Sequence, residues 1–279
     1  MTVDAHHHVW DLTVRDQDWL TGPERAPLRR NFTLADLAPE ASAAGVDRTV
    51  LVQTVTVPEE TPELLALAAA HPLVAGVVGW TDLTRPDITD ELARLRDLPG
   101  GDLLKGIRHQ VQAEADPEWL LRADVRRGLA AVAAAGLVYD LVVLPHQLPA
   151  CARAAAALPG LTFVLDHAGK PPVASGAVEP WASGARALAD LPHTVCKLSG
   201  LVTEAAPGSW SHADLRPYAD VVLDAFGPGR TMFGSDWPVC TLEAAYGDVL
   251  ATARALTGHL DDAGRREVFE TTAVRVYDL

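Results

Sequence analysis

Three consecutive histidines near the start of the chain are the residues whose spacing most clearly points to chemistry. They run directly into Val9 and Trp10. Successive side chains of a β-strand point to opposite faces, so a strand here puts His6 and His8 on one face and His7 on the other. Two imidazoles that converge at a strand end indicate a metal site, a bond to a buried carboxylate, or contact with a substrate oxygen. Two alternatives stay open: a shortened purification tag, and a solvated or purely structural pair.

A carboxylate far along the chain is the predicted partner of this pair. Asp236 follows an apolar strand-like run and a Gly-Ser turn, and Trp237 and Pro238 come next. Beside two or three histidines the carboxylate stays ionised, and it can take a proton from a hydrolytic water. The alternative is an exposed aspartate that only caps a turn. If Asp236 meets His6 and His8, the first and last strands must be neighbours, as in a closed barrel.

An Asp-His pair in the middle of the chain supplies the next candidate. Asp166 and His167 follow an apolar run and lead into a Gly-Lys-Pro turn that contains Lys170. We predict that His167 joins His6 and His8, so that three imidazoles surround one oxygen. The alternative is a capping aspartate next to a histidine that the fold itself satisfies.

Polar residues at other strand ends are predicted to bind substrate or to support the site. Arg108 is the predicted anchor, because its planar guanidinium matches a carboxylate or vicinal oxygens; a structural salt bridge is the alternative. Alternation puts Arg108 and His109 on opposite faces unless a bulge intervenes. Lys197 and Ser199 share a face and are candidates for an ion pair and a supporting hydrogen bond. The full set of predicted substrate contacts is Arg108, His109, Lys170, Trp237 and Trp19.

Alternating strands and helices must position these residues. Short β-branched runs alternate with Ala- and Leu-rich runs, which is typical of parallel βα units. Predicted strands cover residues 2–8, 48–57, 73–80, 103–110, 137–144, 161–166, 194–199 and 231–235. Predicted helices cover residues 34–44, 59–70, 88–98, 118–135, 150–158, 182–191, 215–226, 242–256 and 261–272. The sequence therefore predicts an α/β fold with one domain over residues 1–279, a single (β/α)8 TIM-type barrel, which typically has roughly 250 residues.

The candidate residues fall where such a barrel carries its chemistry, at the C-terminal ends of the strands. One long connection, residues 15–30, contains Trp19, Pro23 and Pro27. Long connections in compact domains are often functional lids. We therefore predict that this segment folds over the site, with Trp19 against a sugar ring or the barrel rim.

The bulk composition excludes several classes of protein. A content of 48% hydrophobic and 22% charged residues is globular. A formal net charge of −14 argues against nucleic-acid binding. The chain contains no apolar run that spans a bilayer, and its N-terminus does not resemble a secretion signal. We expect a soluble, cytoplasmic protein with three buried thiols at Cys151, Cys196 and Cys240 and no disulfide framework; a homo-oligomer is an open alternative.

Six motifs together resemble the amidohydrolase superfamily, specifically its branch of sugar-lactone and 2-pyrone-4,6-dicarboxylate lactonases, over essentially the full chain. They are DAHHHVWD from residue 4, VVGWTDL from residue 77, KGIRH from residue 105, DHAGKP from residue 166, KLSG from residue 197 and FGSDWP from residue 233. The resemblance implies that His6, His8 and His167 surround a lactone carbonyl or a metal, and that Asp236 is the base.

The number of metal ions is a separate question that the resemblance raises. Two-metal members of the superfamily use a bridging carboxylated lysine, and here only Lys105 lies near the matching strand end, deeper in the predicted register. We therefore expect one divalent ion, zinc, held by His6, His8 and Asp236, or no metal at all, because imidazolium donors alone also polarise a carbonyl.

The predicted function is a lactonase that opens the ring ester of a sugar-derived aldonolactone, of the L-fucono-, L-rhamnono- or galactono-lactone type, to the aldonic acid. A 2-pyrone-4,6-dicarboxylate lactonase is the first alternative, but two substrate carboxylates call for several arginines at strand ends, and Arg108 is the clear one. A metal-dependent decarboxylase of the same superfamily is the second. A non-catalytic barrel that binds a sugar acid is the third, although pure binding has no need of a base such as Asp236.

Overall fold

Eight parallel strands form the centre of the computed structural model, which describes residues 1–279. Each strand pairs with the next in sequence order. The strands are β1 (Val3–His7), β2 (Arg48–Val52), β3 (Val74–Gly79), β4 (Leu104–His109), β5 (Val138–Leu141), β6 (Phe163–Leu165), β7 (Thr194–Leu198) and β8 (Thr231–Phe233). A parallel bridge between His7 and Trp237 joins β1 to the segment after β8. The predicted (β/α)8 barrel is therefore confirmed, and its first and last strands are neighbours.

Helices connect the strands along the outside of the barrel. They are α1 (Leu34–Ala44), α2 (Glu60–Ala69), α3 (Ile88–Arg96), α4 (Ala123–Ala134), α5 (Leu148–Ala157), α6 (Trp181–Ala189), α7 (His212–Phe226), α8 (Tyr246–Leu256), α9 (Asp262–Arg266) and α10 (Thr272–Tyr277). The start of α1 shows why the boundaries fall where they do. Thr33 and Asp36 form a reciprocal capping box, and the helix ends at Gly45 in the left-handed conformation. None of the helices has both the length and the apolar character needed to cross a membrane.

Three predicted segments differ from the structure in kind. Other elements differ only in their bounds, most of all β2, which was predicted over residues 48–57 and covers Arg48–Val52. The predicted helix over residues 118–135 is a 3-10 turn, Trp119–Leu121, followed by α4. The predicted helix over residues 261–272 is divided into α9, a π-helical turn (Glu267–Thr271) and α10. The connection over residues 15–30 is not structureless, because it contains a 3-10 helix, Pro23–Leu28. Proline at its start suits this short helix, since the missing N–H would be unpaired there in any case.

The core has two parts, inside and outside the sheet. Inward-facing aliphatic side chains such as Val50, Val78 and Val164 pack together with Ala273 and Tyr277 of α10, so α10 closes one end of the barrel. The larger outer cluster lies between the strands and the surrounding helices. The three cysteines are buried and unpaired, as predicted.

β1 departs from strict alternation. Its pairing with β2 shifts register between Asp4 and His7. Val3 and Ala5 belong to the inner cluster, and the irregularity turns His6 inward as well. His7 then points outward to Thr49. Because His6 and His7 are fully buried in a strand, the purification-tag alternative is excluded.

Candidate active site

Four side chains converge at the C-terminal mouth of the barrel. The Oδ1 atom of Asp236 lies 3.5 Å from Nε2 of His8 and 3.8 Å from Nε2 of both His6 and His167. The Nε2 atoms of His6 and His8 are 3.1 Å apart. All four residues are at most 5% exposed. The structure thus brings together the four residues that the sequence nominated as catalytic, and their individual roles stay predictions.

Behind this group, the buried carboxylate of Asp4 links β1 to the segment after β8. Asp4 accepts hydrogen bonds from the backbone N–H of Ser235 (2.8 Å), the Ser235 hydroxyl (2.6 Å) and the Tyr246 hydroxyl (3.0 Å). The backbone N–H of Asp236 donates to the carbonyl of His6 at 2.8 Å. Together these bonds fix the turn after β8 against β1, and therefore fix Asp236 relative to the histidines.

His167 stands on a turn of unfavourable backbone geometry. His167, Ala168 and Lys170 all have φ near +53°, in the left-handed region that L-residues rarely adopt. Such residues cost roughly 1–3 kcal/mol each and persist where surrounding contacts hold them, often at active sites. Here the Trp181 indole donates to the carbonyl of Ala168 at 2.7 Å, and Nδ1 of His167 contacts the Ser199 hydroxyl at 3.0 Å.

In each of the three imidazoles, Nδ1 contacts another group of the protein and Nε2 faces Asp236. Nδ1 of His8 donates to the carbonyl of Val52 at 2.8 Å, since a carbonyl can only accept. Nδ1 of His167 contacts the Ser199 hydroxyl, which can donate or accept. Partners of this kind set the tautomer and ring orientation of histidines that bind metals.

Buried charges lie directly beneath His6, inside the barrel. The Lys197 ammonium lies 2.5 Å from Oδ2 of Asp140 and 3.0 Å from Oδ1 of Asp166. Arg108 donates to Oδ2 of Asp166 at 3.0 Å. All four charged residues are at most 3% exposed, and opposite charges pair throughout. Pairing is what makes burial of such groups tolerable.

The protonation states suit metal binding and base catalysis. Burial lowers the pKa of His167 to about 4, despite the opposing charges of Asp236 and Asp166. Burial likewise holds the pKa of His6 well below its ordinary value. For Asp236, burial raises the pKa, but His167 and His8 outweigh it and the net pKa is below the ordinary value. At neutral pH the site therefore contains an ionised carboxylate and neutral His6 and His167, the forms in which these groups bind a metal.

The donor set fits one divalent ion. Ligand atoms of His6, His167 and Asp236 all lie within 4.8 Å of one another. The one-metal set predicted from the sequence was His6, His8 and Asp236, whereas the structure groups His167 with His6 and Asp236. Nitrogen and carboxylate donors in this combination suit zinc. Lys105 packs over Gly76 beside the terminal Leu279, away from the four-residue group, so it does not supply a bridging ligand.

A cavity of about 440 Å³ opens above His8, His167 and Asp236, and most of the residues that line it have polar or charged side chains. The lining residues are His8, Trp19, Glu24, Arg25, Pro27, Thr54, Arg108, Gln110, Gln112, Val142, His167, Lys170, Thr203, Glu204, Pro207, Asp236, Val239, Leu242 and Glu243. Trp19, Glu24, Arg25 and Pro27 belong to the connection predicted as a lid, so this segment covers part of the cavity. Lys170 also lines it, with Nζ 3.8 Å from Glu204.

Arg108 reaches the cavity, but it is not the free anchor that the sequence suggested. Its Nε donates to the Gln53 side chain at 2.9 Å and its Nη2 to the Gln53 carbonyl at 2.5 Å. Its Nη1 is paired with Asp166. The guanidinium is therefore held by the protein, as the salt-bridge alternative anticipated, and forms part of the cavity floor.

Two other predicted substrate contacts lie outside the cavity. His109 stacks on Trp119 with ring centroids 4.2 Å apart and contacts Glu114 at 2.7 Å. Trp237 is 4% exposed and packs edge-on against Phe32. Strand alternation accounts for His109, because the neighbouring Arg108 takes the inward position. Trp237 supports the turn that carries Asp236 instead of facing the ligand.

Several residues that line the cavity were not predicted from the sequence. Thr54 is the second residue after β2 and Gln110 directly follows β4, so the strand-end rule itself could have identified them. Thr203, Glu204 and Glu243 come from loops after β7 and β8, where no pattern in the sequence marks them. Loops carry much of the binding surface in such folds and show little periodicity.

Comparison with known proteins places this geometry in a family. The family model described as Amidohydrolase matches residues 3–279. The chain belongs to the amidohydrolase family. An L-fucono-1,5-lactonase of Burkholderia multivorans is 40% identical and is matched over 100% of this chain and 96% of its own. An L-fucono-1,5-lactonase of Burkholderia ambifaria is 41% identical over 88% of this chain and 83% of its own.

A solved structure also supports the assignment of this chain to the amidohydrolase family. The crystal structure of an amidohydrolase from Burkholderia multivorans with bound zinc superposes with a TM-score of 0.93 at 39% identity, over 100% of this chain and 99% of the other. The resemblance read from the six motifs is confirmed, and a relative of the same fold binds the ion that the donor set here fits.

Proposed function

We propose that this amidohydrolase opens the ring ester of a sugar-derived aldonolactone, of the L-fucono-, L-rhamnono- or galactono-lactone type, and releases the aldonic acid. The observation that carries the proposal is an ionised Asp236 facing three imidazole Nε2 atoms at the floor of a polar cavity. The full-length relatives at 40% identity act on such a lactone and support the substrate class.

Asp236 is the base in this mechanism. Its carboxylate removes a proton from a water that attacks the lactone carbonyl, and the protonated Asp236 returns that proton to the ring oxygen as the ester bond breaks. Base assistance of this kind is worth roughly 10²- to 10⁴-fold. Burial and the hydrogen bonds between Asp4 and Ser235 hold the Asp236 carboxylate in place. Little reorganisation is therefore needed when the water arrives.

The histidines are better suited to holding a cation than to donating hydrogen bonds to an oxyanion. In its neutral form His8 carries its proton on Nδ1, which donates to the Val52 carbonyl, so Nε2 has a lone pair. A lone pair cannot stabilise a negative oxygen. His6, His167 and Asp236 would hold a divalent ion here, and when bound it polarises the ester carbonyl as a Lewis acid. The sequence alone assigned the developing oxyanion to the three imidazoles; we propose the cation for this role instead.

The walls of the cavity match a neutral polyol better than a dianion. Hydroxyl and amide groups such as those of Thr54, Gln110 and Thr203 are suited to sugar hydroxyls. Four carboxylates and three cations line the cavity. Of the cations, Arg108 is already bonded to the protein and Lys170 faces Glu204. Apart from the divalent ion, the side chains that line the cavity would therefore offer a substrate with two carboxylates more negative than positive charge.

The test is an acid-release assay with a pH indicator on the metal-loaded protein. The panel contains L-fucono-, L-rhamnono- and galactono-lactones, with 2-pyrone-4,6-dicarboxylate as the contrasting ester. We expect turnover of at least one sugar lactone, loss of activity on incubation with chelator, and recovery when zinc is restored. Acid release from the pyrone dicarboxylate but from none of the sugar lactones would overturn the proposal.

A further inference from the structure

Asp166 is a fully buried carboxylate of which only one oxygen accepts a hydrogen bond. Its Oδ2 accepts a hydrogen bond from Arg108 at 3.0 Å. Its Oδ1 has no hydrogen-bond partner, although Nζ of Lys197 lies 3.0 Å away and Nδ1 of His6 lies 3.4 Å away. A buried acceptor without a partner costs about 1–3 kcal/mol and needs an explanation.

The explanation lies in the two opposite neighbours of His6. Its Nδ1 faces the Lys197 ammonium at 3.1 Å, which can only donate, and the Asp166 carboxylate, which in its ionised form can only accept. If Nδ1 accepts from Lys197, the neutral ring carries its proton on Nε2. If Nδ1 donates to Asp166, Nε2 carries the lone pair. The choice between the two neighbours therefore decides what His6 presents to the cavity.

Each arrangement satisfies a different part of the remaining network. With the proton on Nδ1, Nε2 can accept from Nη1 of Arg108, a donor 3.3 Å away that the other arrangement leaves unused. With the proton on Nε2, His6 donates to Nε2 of His8 at 3.1 Å, because His8 donates its own Nδ1 proton to Val52. With the proton on Nδ1, the lone pair of His6 points to the same space as those of His8 and Asp236. A divalent cation requires the second arrangement. Only a small approach of the ring would bring the 3.4 Å separation into the ordinary range of an N–H···O bond.

We propose that Asp166 is a positioning residue that holds His6 in the Nδ1–H tautomer and thereby sets the affinity of the site for a divalent cation. Lys197 holds the ring in the opposite tautomer when no cation is present. On binding, the ring loses the proton at Nε2 and gains one at Nδ1 by exchange with water, so its charge does not change. The inference rests on the metal fit of the site, and does not depend on which lactone is the substrate.

The structure offers a matched pair of variants for the test. Asp140 and Asp166 are both fully buried and both pair with Lys197, but only Asp166 faces His6. Asp166→Asn replaces the charged acceptor with a neutral one, and Asp140→Asn makes the same change on the other side of the lysine. If the carboxylates serve only to balance charge, the two variants behave alike.

The measurement is the dissociation constant of zinc, obtained on metal-stripped protein by competition with a chromophoric chelator and without substrate. We expect Asp166→Asn to weaken zinc binding by roughly 10- to 100-fold, the usual effect of removing a carboxylate behind a metal-binding histidine. We expect Asp140→Asn to change the dissociation constant of zinc by less than about threefold, clearly below the roughly 10- to 100-fold range expected for Asp166→Asn. Equal weakening in both variants, or none in Asp166→Asn, would overturn the proposal.

A second measurement uses the unmodified protein and so does not depend on the folding of a variant. Long-range ¹H–¹⁵N spectra of the histidine side chains in the unmodified protein report which ring nitrogen carries the proton. We expect His6 to be Nε2–H after metal is stripped and Nδ1–H with zinc bound, a change that a purely structural Asp166 would not produce. An unchanged tautomer would refute the inference. Lactonase activity of the unmodified protein is measured separately, so failure of the proposed function would be recognised on its own.

Discussion

Replacing Asp236 with asparagine removes the proposed base while disturbing the fold very little. Asn is nearly isosteric, and of the non-glycine residues Asn and Asp tolerate best the left-handed backbone seen here, with φ +58°. The backbone bond to the His6 carbonyl does not involve the side chain. The neutral amide also removes a buried charge from a site that is 5% exposed. We therefore expect the variant to fold with little change in stability.

The effect on turnover follows from the chemistry that Asn lacks. An amide cannot accept the proton of an attacking water at neutral pH, so kcat should fall by roughly 10²- to 10⁴-fold. That loss corresponds to about 2.7–5.5 kcal/mol of transition-state stabilisation, at about 1.4 kcal/mol for each factor of ten. Because the amide still forms hydrogen bonds in the cavity, KM should change much less than kcat.

The assay compares initial rates of acid release after correction for the slow spontaneous opening of lactones. Circular dichroism checks the fold, and zinc content is measured for each sample, because Asp236 is also a candidate ligand. Asp82→Asn is the matched control: it follows β3, accepts hydrogen bonds only from Thr84, and does not line the cavity. An Asp236→Asn protein with bound zinc and more than about a tenth of the original kcat would refute the assignment, since base assistance is worth at least about 10²-fold.

Three further predictions concern the lid, the metal and the bonds behind the site. Replacing both Glu24 and Arg25 with alanine should raise KM by about two- to tenfold at similar kcat, the equivalent of one lost hydrogen bond. Steady-state kinetics measure both constants, and an unchanged KM would contradict a role of this segment in binding. Stripping the metal should lower Tm by about 5–10 °C relative to protein with zinc at about 100 times its Kd, measured by calorimetry, because the ion binds only the folded state. Burial raises the pKa of Asp4 to about 6 despite its hydrogen bonds to Ser235; the folded state then binds the proton more tightly than the unfolded chain, so its free energy of unfolding should fall by about 2 kcal/mol as pH rises from about 4 to about 6. Asp4→Asn should lack that part of the slope in denaturant titrations, and an identical slope in both proteins would contradict the assignment.

The fold was largely predictable because the barrel repeats one simple signal. Each strand is a short β-branched run, and each helix shows apolar residues at helical spacing. Boundaries were less predictable where local helix geometry changes within an apparently continuous pattern. The segment from Asp262 to Tyr277 has helical spacing throughout, yet a π-helical turn interrupts it. A turn of this kind inserts one residue into the hydrogen-bond ladder and leaves no clear trace in composition.

The positions of the histidines were predictable only in part. Period-two alternation correctly places His6 and His8 together and His7 apart. The same alternation, continued from Val3 and Ala5, would direct His6 and His8 out of the barrel. The register shift in β1 resolves this conflict, and it depends on pairing with β2, which a single strand does not encode.

The roles of the charged residues depended on their partners, which the sequence does not display. Strand-end position correctly brought Arg108 to the cavity, but a cation buried there must be paired, and Gln53 and Asp166 occupy most of its donors. A paired guanidinium cannot also serve as a free anchor without leaving those acceptors unsatisfied, at about 1–3 kcal/mol each. Recognition of the ligand must then come chiefly from the other side chains that line the cavity. Several of these, such as Thr203 and Glu243, lie on loops above the strands, so the choice among lactones should change by substitutions in these loops while the charged groups beneath His6 stay the same.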